Sequence, residues 1–189
     1  IYVKENSILK WGSLNWGIRS YILFNMNMEI EKTMNSYSTN TSLGIGGYKN
    51  GSPLQKGDKI NLINSHHSIP TLNNNFDYTK HYIGQENDIT LRIILGPHDD
   101  YFNQNEINKF LSSKFIITPQ SNRIGYRLSG PKIKHSKKSD IISEGGALGS
   151  IQIPGEGQPI ILLHDRGTTG GYPKIATIAS VDIPKISQT

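Results

Sequence analysis

The chain has 189 residues, 35% of them apolar and 19% charged, which is the composition of a folded protein with room for one large or two small domains. It contains no cysteine, which excludes a disulfide framework, thiol catalysis and cysteine-ligated zinc. The given sequence shows no apolar stretch near the roughly 18 residues of a membrane span and no secretory signal, so we expect a cytoplasmic protein without membrane contact.

The formal net charge of +5 comes largely from one short basic stretch. Residues 132–138 hold four lysines and His135, and such a stretch can bind phosphate or an acidic partner. A solvated hairpin loop is the favoured alternative, because no aromatic residues interleave with the lysines and no nucleic-acid motif accompanies them. We therefore expect no nucleic-acid partner.

The first half of the chain predicts short strands joined by glycine-rich and polar connections. Residues 1–3 read as a strand, and residues 20–24 and 59–62 are apolar-rich runs between turn signals. Residues 44–53 form a connection rather than a phosphate loop, because they lack the G-K-S/T sequence and no helical pattern follows. The asparagine-rich residues 66–88 predict a linker.

One helix is predicted, over residues 103–111. Asn103 is its expected N-cap, with Glu106 as the capping-box partner three residues later. Phe102 is placed to pack against Ile107 as a hydrophobic staple. The apolar side chains of this helix form one stripe, which must face a sheet.

Six further strands with a turn about every ten residues predict a mainly β protein, specifically a closed antiparallel β-barrel with one short helix. We place this barrel domain at residues 85–189, after a smaller partial β-domain and polar linker at residues 1–84. In the last strand, alternation puts residues 175, 177, 179 and 181 on one side. The predicted strands are residues 90–95, 115–118, 124–128, 149–153, 159–164 and 174–181.

The stretch from Ser143 to Pro173 carries most of the polar chemistry of the chain. It reads SEGGALGSIQIPGEGQPIILLHDRGTTGGYP and surrounds two apolar runs with glycine-punctuated turns. It places a carboxylate, an amide, two hydroxyls, an Asp-Arg pair and a phenol on this scaffold. The pattern is typical of a rigid β-structure that presents polar groups at one end, and it predicts a site.

This stretch resembles the family of the 5-oxoprolinase C subunit, also known as allophanate hydrolase subunit 2 or biotin-dependent carboxyltransferase-like proteins. The family signature reads roughly S-E-G, G-x-I-Q-[VI]-P, G-x-G-Q-P-I, D-R and T-T-G-G-Y-P. Residues 121–131 (SNRIGYRLSGP) are similar to its S-D-R-M-G-Y-R-L and G-P block, and residues 96–102 to its G-P-x-x-x-x-F element. The resemblance implies a cyclophilin-like barrel for the second domain.

Several features depart from the family pattern. Asn122 replaces the usual aspartate, and Gly167 lies where a glutamine is common. The chain also looks shorter than its relatives, as though an N-terminal third and a short C-terminal tail were missing. The substitutions alter polar or backbone contacts and so bear on substrate identity rather than on the fold.

Three charged side chains are candidates for binding or catalysis. Alternation in a strand points Arg123 and Arg127 to one face, where an arginine pair can hold a carboxylate, carbamate or phosphate. The alternative is that one arginine is a structural anchor for Glu144 or Asp165. Glu144 could act as a general base or accept a hydrogen bond from a urea-like or lactam N–H, and its alternative is half of a buried ion pair.

Gln152 lies in an apolar strand, where its amide either contacts the substrate or biotin or ties strands together. Residues 168–172 form a turn that could cradle an oxyanion or the ureido ring of biotin. A purely structural turn would need the glycines but not Thr-Thr and Tyr together, so function is favoured. The predicted catalytic residues are Glu144, Arg123 and Thr169, and the predicted substrate-binding residues are Gln152, Arg127, Tyr126, Thr168, Gly170, Gly171, Tyr172 and Asp165.

Two other kinds of site are not expected. The histidines do not lie at metal-ligand spacings with carboxylates, and His98 reads as the polar start of a loop. No G-x-S-x-G nucleophile elbow occurs, so a Ser-His-Asp hydrolase is disfavoured.

The resemblance implies a hydrolase-type component of an ATP-dependent enzyme that is active only with partners. It would open 5-oxoproline to glutamate with a companion B subunit and a lactamase-like A subunit, or transfer a carboxyl group from biotin held by a carrier partner. The resemblance implies ATP at the level of the complex. The chain has no Walker A motif, so the sequence does not decide whether ATP contacts this chain. The alternative is a non-catalytic regulatory partner of a companion subunit, of the kind that antagonises an inhibitor of a sporulation kinase.

Overall fold

The computed structural model describes residues 4–13, 17–63 and 88–187. Backbone contacts divide the chain into two compact units, one formed by residues 19–81 and the other by residues 1–18 and 82–189. The strand predicted at residues 1–3, the domain boundary predicted after residue 84 and all of the predicted linker except Asp88 lie outside the described residues. Among the described helices, none is long and apolar enough to cross a membrane.

The described secondary structure is mainly β, as predicted. Its helices are α1 Gln104–Ser112 and α2 Ile183–Ile186, of which the second was not predicted. Its strands are β1 Asn27–Met28, β2 Leu62–Ile63, β3 Ile93–Leu95, β4 Ile116–Ile117, β5 Gly125–Ser129, β6 Glu144–Gly145, β7 Ser150–Gln152, β8 Ile160–Leu162, β9 Thr169–Gly170 and β10 Lys174–Ile178.

A six-stranded antiparallel sheet forms the larger unit, in the order β3-β10-β7-β8-β5-β4. Its central strands β7, β8 and β10 are buried along most of their length, as expected for strands covered on both faces, and β8 is a continuous apolar run. Ile151, Ile161 and Ile175 are each at most 4% exposed, and burying one such side chain stabilises the fold by about 1.5–3 kcal/mol. The buried polar residues of these strands all lie at strand ends and are Ser150, Gln152 and Lys174.

Helix α1 begins as predicted and packs its apolar stripe into the same core, except for Leu111, which is 54% exposed. The Oδ1 of Asn103 accepts a hydrogen bond from the Glu106 N–H at 3.0 Å, which confirms the N-cap. The other half of the predicted capping box is wrong: Glu106 Oε2 accepts instead from Lys109 Nζ at 2.5 Å and from the Lys134 N–H at 2.8 Å. The buried carboxylate of Glu106 therefore ties the helix to the basic stretch.

The final strand is shorter than predicted. β10 ends at Ile178, and the chain then makes the 3-10 turn Ser180–Asp182 before α2. Val181, expected on the same side of a strand as the fully buried Ile175, is 66% exposed. The carboxylate of Asp182 is fully buried and accepts hydrogen bonds of 2.7–2.9 Å from the backbone and guanidinium of Arg92. Alternation could not predict this turn, because its contact joins residues 90 positions apart.

The smaller unit contains the β1–β2 ladder, in which Asn27 lies opposite Ile63 and Met28 opposite Leu62. The strand predicted at residues 20–24 is wrong, since these residues have no strand partner in the described part of the chain. Leu23 within it is 94% exposed. An apolar run forms a strand only where another strand pairs with it, and here the pairing lies at Asn27–Met28 instead.

Candidate functional site

Four residues form a closed ring where the β6–β9 ladder meets β7 and β10. Glu144 of β6 lies opposite Gly170 of β9, and Gln152 of β7 lies opposite Lys174 of β10. Gly170 approaches the side-chain amide of Gln152, and the Lys174 ammonium binds the Glu144 carboxylate. Two backbone pairings and two side-chain contacts thus hold together what we call the four-residue ring.

Gln152 brings an unused hydrogen-bond donor to the ring. The residue is 6% exposed, and its Nε2 has no hydrogen-bond partner among the described residues. A Cβ on Gly170 would lie 2.4 Å from that nitrogen, so glycine is required there to leave the amide its space. An unsatisfied buried amide costs about 1–3 kcal/mol and is rare in native proteins. The ring therefore contains a buried amide donor that an acceptor on a ligand would satisfy.

Lys174 is the deeply buried charge of the ring. Its side chain is 2% exposed, and its Nζ donates to Glu144 Oε1 at 2.5 Å. A buried ammonium needs such a partner, because burial removes the favourable hydration of the charge and an oppositely charged group must offset that loss. The ion-pair alternative for Glu144 is therefore present, although the glutamate side chain itself remains 44% exposed.

His98 supports the same carboxylate from the loop after β3. The backbone N–H of His98 donates to the Lys174 carbonyl at 3.0 Å, and the Lys174 N–H donates to His98 Nδ1 at 3.3 Å. With Nδ1 as acceptor, the neutral imidazole carries its hydrogen on Nε2, which lies 3.4 Å from Glu144 Oε1. The ring of Tyr101 packs edge-on against the imidazole, with 5.4 Å between centroids.

These groups fix the charge of Glu144. The Lys174 hydrogen bond, reinforced by the charge of the Lys174 ammonium, lowers the pKa of the Glu144 carboxyl below its ordinary value against the opposing effect of burial. Lys174 and His98 both contact Oε1, and Oε2 has no partner among the described residues. At neutral pH the glutamate therefore presents one free carboxylate oxygen.

Arg123 forms a two-point salt bridge with Asp165. The Nε–Oδ2 and Nη2–Oδ1 distances are 3.0 and 3.1 Å, and the Asp165 N–H also donates to the Arg123 carbonyl. This is the anchor arrangement that the sequence left open. No hydrogen bond or ion pair joins Arg123, Asp165 or Arg127 to the four-residue ring within the described residues.

Tyr126 and Arg127, the other two candidate residues of the segment 121–131, lie on β5 and point to opposite sides of it. Arg127 is exposed, whereas Tyr126 beside it is 3% exposed and belongs to the hydrophobic core. Arg127 therefore lies on the outer side of β5, whereas Arg123 precedes this strand, so strand alternation does not relate the two arginines.

Residues 168–172 form a ladder edge rather than the turn that the sequence predicts. Thr169 and Gly170 make up β9, and the Gly146 N–H extends the pairing by donating to the Thr168 carbonyl at 2.8 Å. Both threonines are exposed, and Tyr172 is 40% exposed. The hydroxyls and the phenol thus face solvent, and Gly170 is the point at which this edge contacts the ring.

Two further hydrogen bonds fix the ladder on both sides. The Ile141 N–H donates to the carbonyl of the half-buried Gly171 at 2.9 Å. The Arg166 Nε donates to the Gly146 carbonyl at 2.8 Å, which gives the arginine of the Asp-Arg pair a structural partner. The short strands β6 and β9 are therefore held in register.

Lys174 and His98 are the ring contacts that the sequence-based prediction missed. Lys174 carries only a weak signal, because it begins a predicted strand and the β-bulge between Lys174 and Ala176 breaks the alternation that would assign it to a side. His98 carries none, since its partner lies in a strand 76 positions later. Among the described residues, no group of three or more acidic or histidine side chains could hold a metal ion.

The fold and the ring can now be compared with known proteins. Residues 1–189 match the family model for the carboxyltransferase domain, subdomains A and B. The chain therefore belongs to this family of carboxyltransferase domains, and its resemblance to the C subunit of 5-oxoprolinase is confirmed.

Individual relatives give the extent of the match. The 5-oxoprolinase C subunit of Escherichia coli is 33% identical over 172 residues, which cover 91% of this chain and 53% of the relative. The urea amidolyase of Saccharomyces cerevisiae is 30% identical over 204 residues, which cover 100% of this chain and 11% of the relative. The crystal structure of the K. lactis urea amidolyase matches 94% of this chain and 12% of that chain at 23% identity with a TM-score of 0.73, a likeness of fold.

Proposed function

We propose that this chain is part of an ATP-dependent enzyme that acts on a cyclic amide or urea-type substrate, with the opening of 5-oxoproline to glutamate as the favoured reaction. The observation that carries the proposal is the buried, unpaired Nε2 of Gln152 in one ring with the Glu144 carboxylate. Similarity to the C subunit of 5-oxoprolinase supports the choice of substrate. Because the chain spans 53% of that relative, we propose the activity for the assembled enzyme.

The ring offers the two partners that an amide needs. Gln152 Nε2 can donate to the carbonyl oxygen, and Glu144 Oε2 can accept from the N–H. A donor held at the carbonyl oxygen stabilises the negative charge that collects there when the carbonyl carbon is attacked. Since its lowered pKa makes Glu144 a weak base, we assign it to hold the N–H rather than to remove a proton.

The opening of the lactam in 5-oxoproline adds water across its C–N bond, which yields a carboxylate and an amine. The free energy comes from ATP, which we assign to the companion subunits. The four-residue ring does not fit a nucleotide phosphate, because its exposed group is the Glu144 carboxylate and two negative charges repel each other. A companion B subunit and a lactamase-like A subunit are the proposed partners.

Carboxyl transfer is the second candidate, and the match of a urea amidolyase to 100% of this chain favours it. The ureido group of biotin has the same N–C=O edge as a lactam, so Gln152 and Glu144 fit it. Biotin on a carrier would supply a carboxyl group for transfer to a substrate nitrogen. The two candidates therefore share one site and differ in the partner.

Reconstitution with each set of partners tests the proposal. Assembled with the A and B subunits, the chain should support ATP-dependent glutamate formation from 5-oxoproline, and on its own it should support none. Gln152→Met removes the donor at similar volume and should lower turnover about a hundredfold at an unchanged Tm. An assembled complex that neither forms glutamate nor carboxylates a urea-type substrate with a biotin carrier would refute the enzymatic proposal in favour of a regulatory partner.

A further inference from the structure

We infer that Lys174 is a positioning residue that makes this site select ligands with an amide N–H and C=O on the same edge, by holding Glu144 as a carboxylate with one oxygen free. The inference rests on the proposed function, since it names the ligands that the same ring accepts. It concerns two residues, Lys174 and His98, that are not among the fixed positions of the family signature given above.

The ammonium of Lys174 is confined to one position, beside the Glu144 carboxylate. The backbone of Lys174 is fixed at both its N–H and its carbonyl by His98. The side chain is 2% exposed, so its Nζ cannot turn to water and stays on Glu144 Oε1. A permanently buried ammonium in this position requires an ionised partner.

The described neighbours of the Glu144 carboxylate lie beside only one of its two oxygens. The Nε2 of His98 lies 3.4 Å from the same Oε1 to which Lys174 donates. With Lys174 and the imidazole both beside Oε1, Oε2 is the oxygen that a ligand can reach. A neutral glutamic acid could present a hydroxyl donor there, whereas the ionised form can only accept.

A ligand of this site must offer a donor to Glu144 and an acceptor to Gln152. The ring presents an acceptor, Glu144 Oε2, and a donor, Gln152 Nε2, from two sides of Gly170. Five-membered lactams and ureido rings carry C=O and N–H on one edge because the ring forces the cis amide. Open-chain secondary amides are trans, with the two groups on opposite edges. The four-residue ring therefore favours cis-amide edges and disfavours both trans amides and N-alkylated lactams.

The pH dependence follows from the groups that face Glu144, which are Lys174 from β10 and His98 from the loop after β3. The hydrogen bond and the charge of Lys174 lower the pKa of the Glu144 carboxyl. Ligand binding through the carboxylate is then present above this lowered pKa and is lost as the pH falls through it. Without the ammonium, the loss should begin at a higher pH.

The experiment uses the 15N-labelled 189-residue chain. The side-chain N–H signals of Gln152 are assigned by their absence in Gln152→Met and are followed by NMR during titration. The probes are 5-oxoproline, its N-methyl derivative and the open-chain amide N-acetylglycine. We expect 5-oxoproline to shift the Gln152 signals and to bind about tenfold to a hundredfold more tightly than either analogue, as one charge-assisted hydrogen bond allows.

Three variants separate positioning from folding. Lys174→Met should reduce this preference below about threefold and move the acid loss of binding to higher pH. Glu144→Gln keeps an acceptor for Lys174 but puts a donor where Oε2 was, so it should abolish the preference in a folded chain even if Lys174→Met fails to fold. Glu156→Gln, the same change at an exposed glutamate outside the ring, should leave the preference unchanged.

The outcomes separate the inference from the proposed function. Equal binding of the N-methyl derivative, or no Gln152 shift with 5-oxoproline, overturns the inference even if the assembled enzyme forms glutamate. An unchanged preference in folded Lys174→Met overturns the role of Lys174. Selective binding of 5-oxoproline by the chain, combined with no turnover by any assembled complex, instead upholds the selectivity and refutes the proposed reaction.

Discussion

Gly170 leaves room for the side-chain amide of Gln152, since a Cβ on Gly170 would lie 2.4 Å from Nε2. That separation is far inside the roughly 3.5–4.0 Å at which non-bonded heavy atoms attract. Gly145, on the partner strand of the same ladder, has no atom within 4 Å of an added Cβ. The two glycines therefore differ sharply in what surrounds them, although they lie one register step apart.

This difference predicts the effect of adding one methyl group. Gly170→Ala should push the Gln152 amide out of the ring and lower turnover of the assembled enzyme at least about tenfold, as removal of a positioned donor does. The amide is the end of a flexible side chain, so it can rotate and the Tm should change little. Gly145→Ala is the matched control and should leave turnover and Tm unchanged. Equal turnover in both variants would remove Gln152 from the mechanism.

The polar ring was only partly predictable from the sequence. Glu144, Gln152 and Gly170 were found because they lie in a polar, glycine-punctuated motif between strands that the apolar runs predicted well. The β6–β9 ladder was missed because each strand has two residues, too few for any periodicity. Lys174 and His98 were missed because their contacts with Glu144 join distant parts of the chain, which a local pattern cannot contain.

The salt bridge between Arg123 and Asp165 occupies the guanidinium fork that the sequence assigned to a ligand. We therefore expect Arg123→Lys to keep the activity of the assembled enzyme within about twofold. The change in stability should also be small, because an exposed pair contributes about 0–1 kcal/mol. The measurements are the turnover of the reconstituted enzyme and the Tm of the chain.

An exchange of partners makes the same test independent of stability. Arg123→Asp combined with Asp165→Arg keeps a salt bridge but moves the guanidinium to the other chain position. If Arg123 is an anchor, the double variant should regain the turnover and Tm that either single variant loses. A tenfold loss of turnover that the exchange fails to restore would show that Arg123 binds an anionic group directly.

The Arg92 hydrogen bonds to Asp182 predict how stability responds to acid. They hold the pKa of the buried Asp182 carboxyl well below its ordinary value, with a smaller contribution from Lys185. A lowered folded-state pKa stabilises the protein above the unfolded pKa, and the contribution is lost as the pH falls toward the folded one. Asp182→Asn should therefore lower the Tm at pH 7, and the gap to the unmodified chain should narrow below about pH 4.

A matched pair is available for this acid titration. Asp88 also pairs with a cation, Lys114, but its side chain is 73% exposed. Asp88→Asn should hardly change the Tm at any pH, because solvent screens an exposed pair. Thermal unfolding followed by circular dichroism from pH 7 to about pH 3 compares the two variants. A constant gap for Asp182→Asn across this range would mean that its effect is steric rather than electrostatic.

Thr169 tests whether the exposed ladder edge takes part in the reaction. Its side chain is exposed on β9, next to the glycine that contacts the ring, where the hydroxyl can donate to an oxyanion. Thr169→Val removes that donor at nearly constant volume, and loss of one positioned donor costs roughly 3 kcal/mol, so turnover of the assembled enzyme should fall about a hundredfold. The Tm should hold, since valine suits a strand, and Thr177→Val in β10 is the control. Normal turnover of Thr169→Val would mean that the four-residue ring alone binds the substrate and that the ladder edge is only a scaffold.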